Sequence, residues 1–321
     1  MNLIQAFEKN LIDGFDTSSP DKIIETIVSE IFFYGNKVYK VYKYEKFFFG
    51  DFSNQDFRKD FYKEDFYWNN IMAPHIYLAL HGVKKFLNKY KIVDLPKAED
   101  FFIEMKKFDT NKTLTNLLLK KQITDKNLAE IVAKMTTRVK KLTANRKDNL
   151  MTRNLAEAQQ EDLESDRNLL YMIPSHISKE KTDEIIDFLK GVSKKISYFQ
   201  NYNSNNLSLS IDNHADNIVF LNDEAEFIDV LPPKEDWRVF DYCFNICRLA
   251  TDVAVLWSEK KANIIYQTYE KIAESIPTDV KTIYEIRSAL IQLWCFYDLK
   301  KPEIAEEYLK FIEKRMLSLP T

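Results

Sequence analysis

The sequence predicts an α+β fold in which strands come first and helices follow. Three observations carry this. Runs of β-branched and aromatic residues bounded by turn residues crowd the first third of the chain. From about residue 110 to Tyr202 the pattern is mostly helical. A short strand–turn–strand unit near 207–230 then interrupts the helices before they resume after Pro232-Pro233.

Taken in order, residues 1–30 read as helical. Leu3, Ile4, Phe7, Leu11 and Ile12 recur at helical spacing, and Ser19-Pro20 opens a second stretch. Residues 31–34, a Gly35-Asn36 turn and residues 38–44 read as a hairpin whose second strand carries Lys40 and Lys43. Ser53 is the expected cap of a helix running to Met72 and stopping before Pro74. Residues 91–95 and 101–105 read as two further strands, and Asp109-Thr-Asn-Lys breaks the pattern. Asn201-Tyr-Asn-Ser-Asn-Asn is a polar loop. Strands are expected at 207–211, 218–221 and 226–230, with Asn222-Asp223 turning between the last two.

Composition narrows the function classes. The 321 residues allow one large two-part unit or two ordinary domains, and 45% hydrophobic content supports a full core. With 46 basic and 49 acidic residues interspersed, no basic excess points to nucleic acid. The most basic stretch, Arg138–Lys147, reads as a solvated helix face. Three cysteines without a CxxC pair argue against a disulfide framework; Cys243 and Cys247, one turn apart, read as packed core thiols. No apolar run is long enough for a membrane span, and the N-terminus lacks a basic start followed by an apolar stretch. A soluble, cytoplasmic protein with no membrane or nucleic-acid partner is the expectation.

The chemistry-bearing residues cluster where the helices are interrupted. Asp212 and Asn217 are spaced as D-x-x-x-x-N, and Asp229 follows the second hairpin. An Asp beside an acceptor hydroxyl can orient it and take its proton. An amide oxygen and a second carboxylate suit Mg²⁺, a hard cation that prefers oxygen. Asp and Asn are also common turn residues, so the motif needs support from the first third. There Lys40 lies on a central-looking strand where a fixed cation could meet phosphates, with Lys43 competing for the role. Glu64 and Asp65 on the next helix could each hold that lysine by an ion pair. Residues 101–108 close the strand-rich part and could offer main-chain groups to adenine.

At this point the chain resembles an uncharacterised bacterial group of aminoglycoside-phosphotransferase-like proteins, often fused to a P-loop ATPase domain. Ser29-Glu-Ile-Phe-Phe-Tyr-Gly-Asn-Lys-Val-Tyr-Lys is similar to the pattern S-W-V-F-L-x-G-D-x-A-Y-K, and Phe49-Gly-Asp-Phe-Ser to F-L-D-F-S. Asn69-Asn-Ile-Met-Ala-Pro-His-Ile-Tyr-Leu resembles N-R-R-L-A-P-x-L-Y-L, and Phe102-Ile-Glu-Met-Lys-Lys-Phe resembles V-x-M-R-R-L. Asp212-Asn-His-Ala-Asp-Asn-Ile resembles D-L-H-L-G-N-I. Phe227-Ile-Asp-Val and Trp237-Arg-Val-Phe-Asp resemble F-D-C-I-E-F and W-R-x-I-D.

The resemblance implies a protein-kinase-like two-lobed fold, with a small strand-rich nucleotide-binding lobe over 1–106 and a larger, mostly helical lobe over 107–321. It implies ATP and Mg²⁺ as cofactors and a small-molecule acceptor with a hydroxyl. Asp212 would be the catalytic base, and Asn217 and Asp229 the metal ligands. Lys40 would contact phosphates, oriented by Glu64, and Glu104 and Met105 would meet adenine through their main chain. His214 and Ser210 would brace the loop. Two departures stand out: Ser210-Ile211 replaces a His-Gly pair, and Asp216 replaces a glycine. Both leave open an alternative, a nucleotide-binding pseudokinase serving as an interaction module. Asp241 and Glu235 are candidate acceptor-facing acids.

Overall fold

Lys37–Tyr42 is buried at every residue after Lys37, which marks a strand covered on both faces. Side chains alternate across a strand, so Tyr39 and Val41 enter one core while Lys40 and Tyr42 enter another. The computed structural model of the protein describes residues 1–14, 19–145, 154–172, 177–201 and 207–319. These form two compact units: Met1–Thr110 with Leu221–Lys234, and Asn111–Phe220 with Glu235–Thr321.

The first unit is built on a seven-stranded sheet. Its spatial order is Ile12–Asp13, Lys89–Val93, Tyr77–Phe86, Asp100–Lys106, Lys37–Tyr42, Ser29–Tyr34 and Lys22–Glu25. All neighbours are antiparallel except Ile12–Asp13 and Lys89–Val93, which are parallel. On one face, Tyr39 and Val41 join Leu3, Phe7, Phe32 and Phe102 in a core. Phe7 stacks on Phe32 at 4.9 Å and meets Phe102 edge-on at 5.2 Å. Each fully buried ring stabilises the fold by about 1.5–3 kcal/mol relative to exposure. On the other face, Tyr42 packs against Phe52, Phe61 and Tyr62, and the Tyr62 hydroxyl accepts from Tyr42 N at 2.7 Å.

The helix beneath this face is Gln55–Met72. Its cap is Asn54, not Ser53: Asn54 Oδ1 accepts from Asp56 N at 2.9 Å and Phe57 N at 3.1 Å. Ser53 is instead tied back to Asp51, its N–H donating to Oδ1 at 3.0 Å. The helix stops at Ala73, whose φ of −144° leaves the helical region, because a residue before proline is pushed out of it. Buried Arg58 on this helix forms an ion pair with Asp100, and Tyr44 donates to the same carboxylate.

The expectation of helix over residues 1–30 is corrected, and one strand is added. Helix covers only Leu3–Glu8 of the first 30 residues. Lys22-Ile-Ile-Glu is an edge strand paired with Ser29–Tyr34, in a turn closed by Thr26 Oγ1 accepting from Ser29 N at 2.9 Å. The ten-residue strand Tyr77–Phe86 had no clear signal, since most of its residues are partly or fully exposed and a bulge at Tyr77/Ala79 breaks its alternation. It needs Gly82, where a Cβ would lie 2.6 Å from Ala98 Cβ.

The second unit is helical around Tyr242–Leu256 and Thr278–Asp298, both buried on most of their surface. Asp125–Ala144, Leu155–Tyr171, Lys179–Ser193, Glu259–Tyr269 and Pro302–Met316 belong to the same unit. Leu207–Leu209 pairs antiparallel with Val239–Asp241. Arg138 to Asn145 of the basic stretch closes the helix Asp125–Ala144; residues 146 and 147 lie outside the described residues, as do 202–206 of the polar loop.

Asn222 and Asp223 both have positive φ, 51° and 65°, the backbone a two-residue type I′ turn requires. The strand after them is Glu224–Phe227, so Asp229 is not on a strand; it lies two residues beyond, in the left-handed region at φ 50°. Aspartate tolerates that region better than most side chains. Among the described residues, no helix is long and apolar enough to cross a membrane.

Candidate active site

The first unit gathers an ionic cluster from residues far apart in the chain. Lys40, 5% exposed, projects to the helix side of the sheet. Its Nζ lies 2.5 Å from Asp229 Oδ1 and 3.4 Å from Asp65 Oδ2. Tyr77 donates its hydroxyl to Asp229 Oδ1 at 2.8 Å and accepts from Asp229 N at 3.1 Å. One turn along the helix from Asp65, Asn69 Nδ2 donates to Asp65 Oδ1 at 2.8 Å, while its Oδ1 accepts from Val230 N at 3.1 Å. Asn69 thus fixes both the carboxylate and the main chain beside Asp229.

Charge follows this geometry. Burial works against the Lys40 ammonium, but Asp229 and then Asp65 outweigh it and hold its pKa above the ordinary value. Burial raises Asp65, and the Lys40 charge only partly offsets that. Tyr77 is pushed well up by burial and by the Asp229 charge. Lys43, the competing lysine, turns its Nζ to Glu25 at 2.6 Å instead. The acid that reaches Lys40 from the helix is Asp65, where the resemblance implied Glu64. Glu64 sits one residue earlier on a partly exposed face, about 100° round the helix.

Glu104 and Met105 lie in Asp100–Lys106, an interior strand with paired neighbours on both sides. The Glu104 carboxylate is engaged by His81 Nε2 at 2.8 Å and Lys37 Nζ at 3.1 Å. Burial opposes ionisation there, yet these two partners bring the pKa below the usual range.

The second unit holds Asp212, Asn217, His214 and Ser210 in one loop, braced by the buried helix Tyr242–Leu256. Asn245, Arg248 and Asp252 recur at three and four residues and share a helix face. Arg248 Nη2 donates to Asp212 Oδ1. Asn245 Oδ1 accepts from Ile211 N at 3.1 Å, and its main-chain carbonyl accepts from Asn213 Nδ2 at 2.7 Å. Asp252 Oδ2 accepts from Ala215 N at 2.6 Å and is itself held by Gln292 and Tyr308. Burial raises the Asp252 carboxyl, against His214, Tyr308 and the Ala215 N–H. Asn217 Nδ2 donates to the Asp212 carbonyl at 2.9 Å. His214 Nε2 stands 4.0 Å from Asp212 Oδ2. Ser210 is tied through its main chain, N donating to Arg238 O at 3.0 Å.

Asp241 is not an acceptor-facing acid. It is 2% exposed, caps Tyr242–Leu256 by accepting from Cys243 N at 3.0 Å, and accepts from Tyr198 at 2.8 Å and Tyr284 at 2.9 Å. Glu235 is exposed in a short 3₁₀ turn. Burial pushes the Cys243 thiol up to about 12, as suits a packed thiol rather than a nucleophile.

Sequence reasoning missed Tyr77, Asn245, Arg248 and Asp252. A signal existed for the last three: polar residues at helical spacing in an otherwise apolar helix.

The chain therefore has the protein-kinase-like fold found in aminoglycoside phosphotransferases. It is similar to aminoglycoside 2'-phosphotransferase-IIIa in complex with GDP, at 10% identity and a TM-score of 0.56, covering 98% of each chain. It is similar to a thermostable mutant of aminoglycoside phosphotransferase APH(4)-Ia in ternary complex with AMP-PNP and hygromycin B, at 13% identity and a TM-score of 0.55, again covering 98% of each chain. A third likeness is to the GDP and kanamycin complex of APH(2")-IIia, at 10% identity and a TM-score of 0.54, covering 98% of this chain and 99% of that one. No protein-family model and no curated protein matches the chain.

Proposed function

We propose that the protein is an ATP-dependent phosphotransferase that moves the γ-phosphate onto a hydroxyl of a small molecule. The observation that carries this is the meeting of Lys40 with Asp229, 189 positions later, on a fold whose solved examples hold GDP or AMP-PNP. A buried cation with two carboxylates is costly unless the geometry is tight, and the same parts serve phosphate and metal binding in kinases.

Mg²⁺ is the cofactor this reading implies, a hard cation that takes oxygen ligands. Asp229 offers a carboxylate whose side chain is 46% exposed. The resemblance implies Asn217 as the second ligand, through an amide oxygen of the kind Mg²⁺ prefers. Among the described residues no group of three or more His, Cys, Asp or Glu could hold a metal ion alone. Bound there, the ion would neutralise charge on the β- and γ-phosphates.

The chain's own residues do the rest. Lys40 supplies a fixed ammonium for phosphate oxygens, positioned by Asp65. Asp212, aimed by Arg248, accepts the acceptor's hydroxyl proton as the new P–O bond forms and the bond to the β-phosphate oxygen breaks. Exposed Glu235 is a candidate contact for a polar acceptor.

A second reading, a nucleotide-binding protein without turnover, is favoured by one observation: the Asp212 carboxylate is already engaged by Arg248. The test is ATP-dependent mass gain in a metabolite mixture, with wild type and Asp212→Asn side by side. Transfer lost in the variant supports the phosphotransferase. No transfer by either protein, with a Mg-ATP thermal shift in both, supports the second reading.

A further inference from the structure

Tyr77 holds Asp229 twice with one oxygen. Its hydroxyl donates to Oδ1 at 2.8 Å and accepts from the main-chain N–H of the same residue at 3.1 Å. A phenol has one proton and two lone pairs, so both bonds can form together. They fix the carboxylate relative to its own backbone, and Lys40 reaches the same Oδ1 at 2.5 Å. That backbone sits at φ 50°, a region disfavoured for residues other than glycine, so the surroundings must hold it there.

The hold has a rigid base. Tyr77 is fully buried, and the bulge in its strand falls between it and Ala79. Its N–H donates to Ala73 O at 3.0 Å, and its carbonyl accepts from Asn70 Nδ2 at 2.9 Å. Asn69, next to Asn70, takes the following N–H of the acidic segment, that of Val230, at 3.1 Å. Asn69 and Asn70 lie on the helix Gln55–Met72, which also carries Asp65. One helix therefore sets both acids on Lys40, Asp65 directly and Asp229 through Tyr77 and Asn69.

Other tyrosine–aspartate contacts in the chain differ in one respect. Tyr44 on Asp100, Tyr284 on Asp241 and Tyr308 on Asp252 each hold an acid that is itself buried. Those bonds satisfy a core carboxylate. The Asp229 side chain is 46% exposed, so water can satisfy it without a buried phenol. An acid anchored this firmly and still open to solvent is preorganised to meet a group arriving from outside. We propose that Tyr77 is a positioning residue of the phosphotransfer site, presenting Asp229 beside Lys40 to the incoming nucleotide. The inference rests on the phosphotransferase reading and adds a residue to which that reading gives no role.

The test is Tyr77→Phe in the full chain, which keeps the buried ring and removes only the hydroxyl. Mg-ATP affinity, from melting shifts across a titration, should fall about tenfold, and phosphate release about 10–100-fold, the range for partners that orient a ligand residue. Asp229→Gly removes the carboxylate and tolerates the left-handed backbone. In that background Tyr77→Phe should change Mg-ATP affinity by less than about twofold, because Tyr77 acts through the missing group. A tyrosine that only supports the fold costs as much in both backgrounds, and that result overturns the inference. So does a crystal of Tyr77→Phe in which Asp229 keeps its left-handed backbone and its place on Lys40. Asn70→Ala, which frees the Tyr77 carbonyl without altering the ring, should weaken Mg-ATP binding in the same direction. Unchanged affinity in Tyr77→Phe, or in Asn70→Ala should the first variant not fold, removes the role of Tyr77 and leaves the phosphotransferase reading standing. Wild type that neither binds Mg-ATP nor releases phosphate removes that reading, and this inference with it.

Discussion

Replacing Lys40 by methionine removes one charge from a three-charge cluster, and the exposures of its partners set the size of the effect. Asp65 is 3% exposed at its side chain and Asp229 46%, so water can take over for Asp229 but not for Asp65. Removing one partner of a buried pair costs about 3–5 kcal/mol, because the other charge is left uncompensated. That is the expected loss for Lys40→Met near neutral pH. The pH dependence follows from the acid. Burial already raises Asp65 above its ordinary 3.8, and Lys40 is its main counterweight. Without Lys40 the folded-state value rises further, so the folded chain binds a proton there more tightly than the unfolded chain. Stability from this group then falls as pH rises above the unfolded value. The penalty of Lys40→Met should therefore be smallest below about pH 4 and full at neutral pH. Adding Asp65→Asn removes the unpaired charge and should recover part of the loss. The assay is urea denaturation of the four proteins of this cycle from pH 4 to 8, read by tryptophan fluorescence. A penalty unchanged across that range and not relieved by Asp65→Asn would refute the placement of Lys40 against Asp65.

Three further outcomes are expected. Asp212→Asn should lower phosphotransfer by about 10²–10⁴-fold while the Mg-ATP thermal shift persists, measured by phosphate release and melting. Arg248→Ala should cost up to about 100-fold in kcat with little change in nucleotide affinity, because it misaims the Asp212 side chain without touching the nucleotide. Asp241→Ala should destabilise by about 2 kcal/mol or more, since it removes a helix cap and strands two tyrosine hydroxyls. Its melting temperature should fall even though no nucleotide contact is lost.

What the sequence made legible, and what it hid, has a physical pattern. The Lys37–Tyr42 strand and the Asn222-Asp223 turn were readable because local preference and tertiary need agree there. Lys22–Glu25 was misread because an exposed edge strand carries no alternation, and only its pairing with Ser29–Tyr34 makes it a strand. Glu64 and Asp65 could not be separated by type. They differ in azimuth round the helix, and a one-residue uncertainty in phase exchanges a half-exposed face for a buried one. Asp229 was legible as an acid after a hairpin, but its left-handed backbone was not, since it follows from Tyr77 gripping both its N–H and its carboxylate. Arg248 was visible as a polar residue in an apolar helix, but not as the partner of Asp212, which is 36 positions away.

The departure at Ser210-Ile211 bears most directly on whether the loop is competent. A residue pair before the proposed base must fix the main chain and orient the carboxylate. Here both tasks belong to the helix opposite: Asn245 holds the Ile211 N–H, Asp252 holds the Ala215 N–H, and Arg248 holds the carboxylate. Ser210 is 5% exposed and Ile211 is fully buried, so the space a histidine would fill is already occupied. Restoring the usual residue by Ser210→His should therefore not improve the protein. It overpacks a closed site, at a cost of about 1–3 kcal/mol, and adds no contact that Arg248 does not already make. Melting temperature and phosphate release measured together decide it. A variant with unchanged melting and faster turnover would mean that the loop is underbraced as it stands, and that the Tyr242–Leu256 helix does not substitute for the missing histidine.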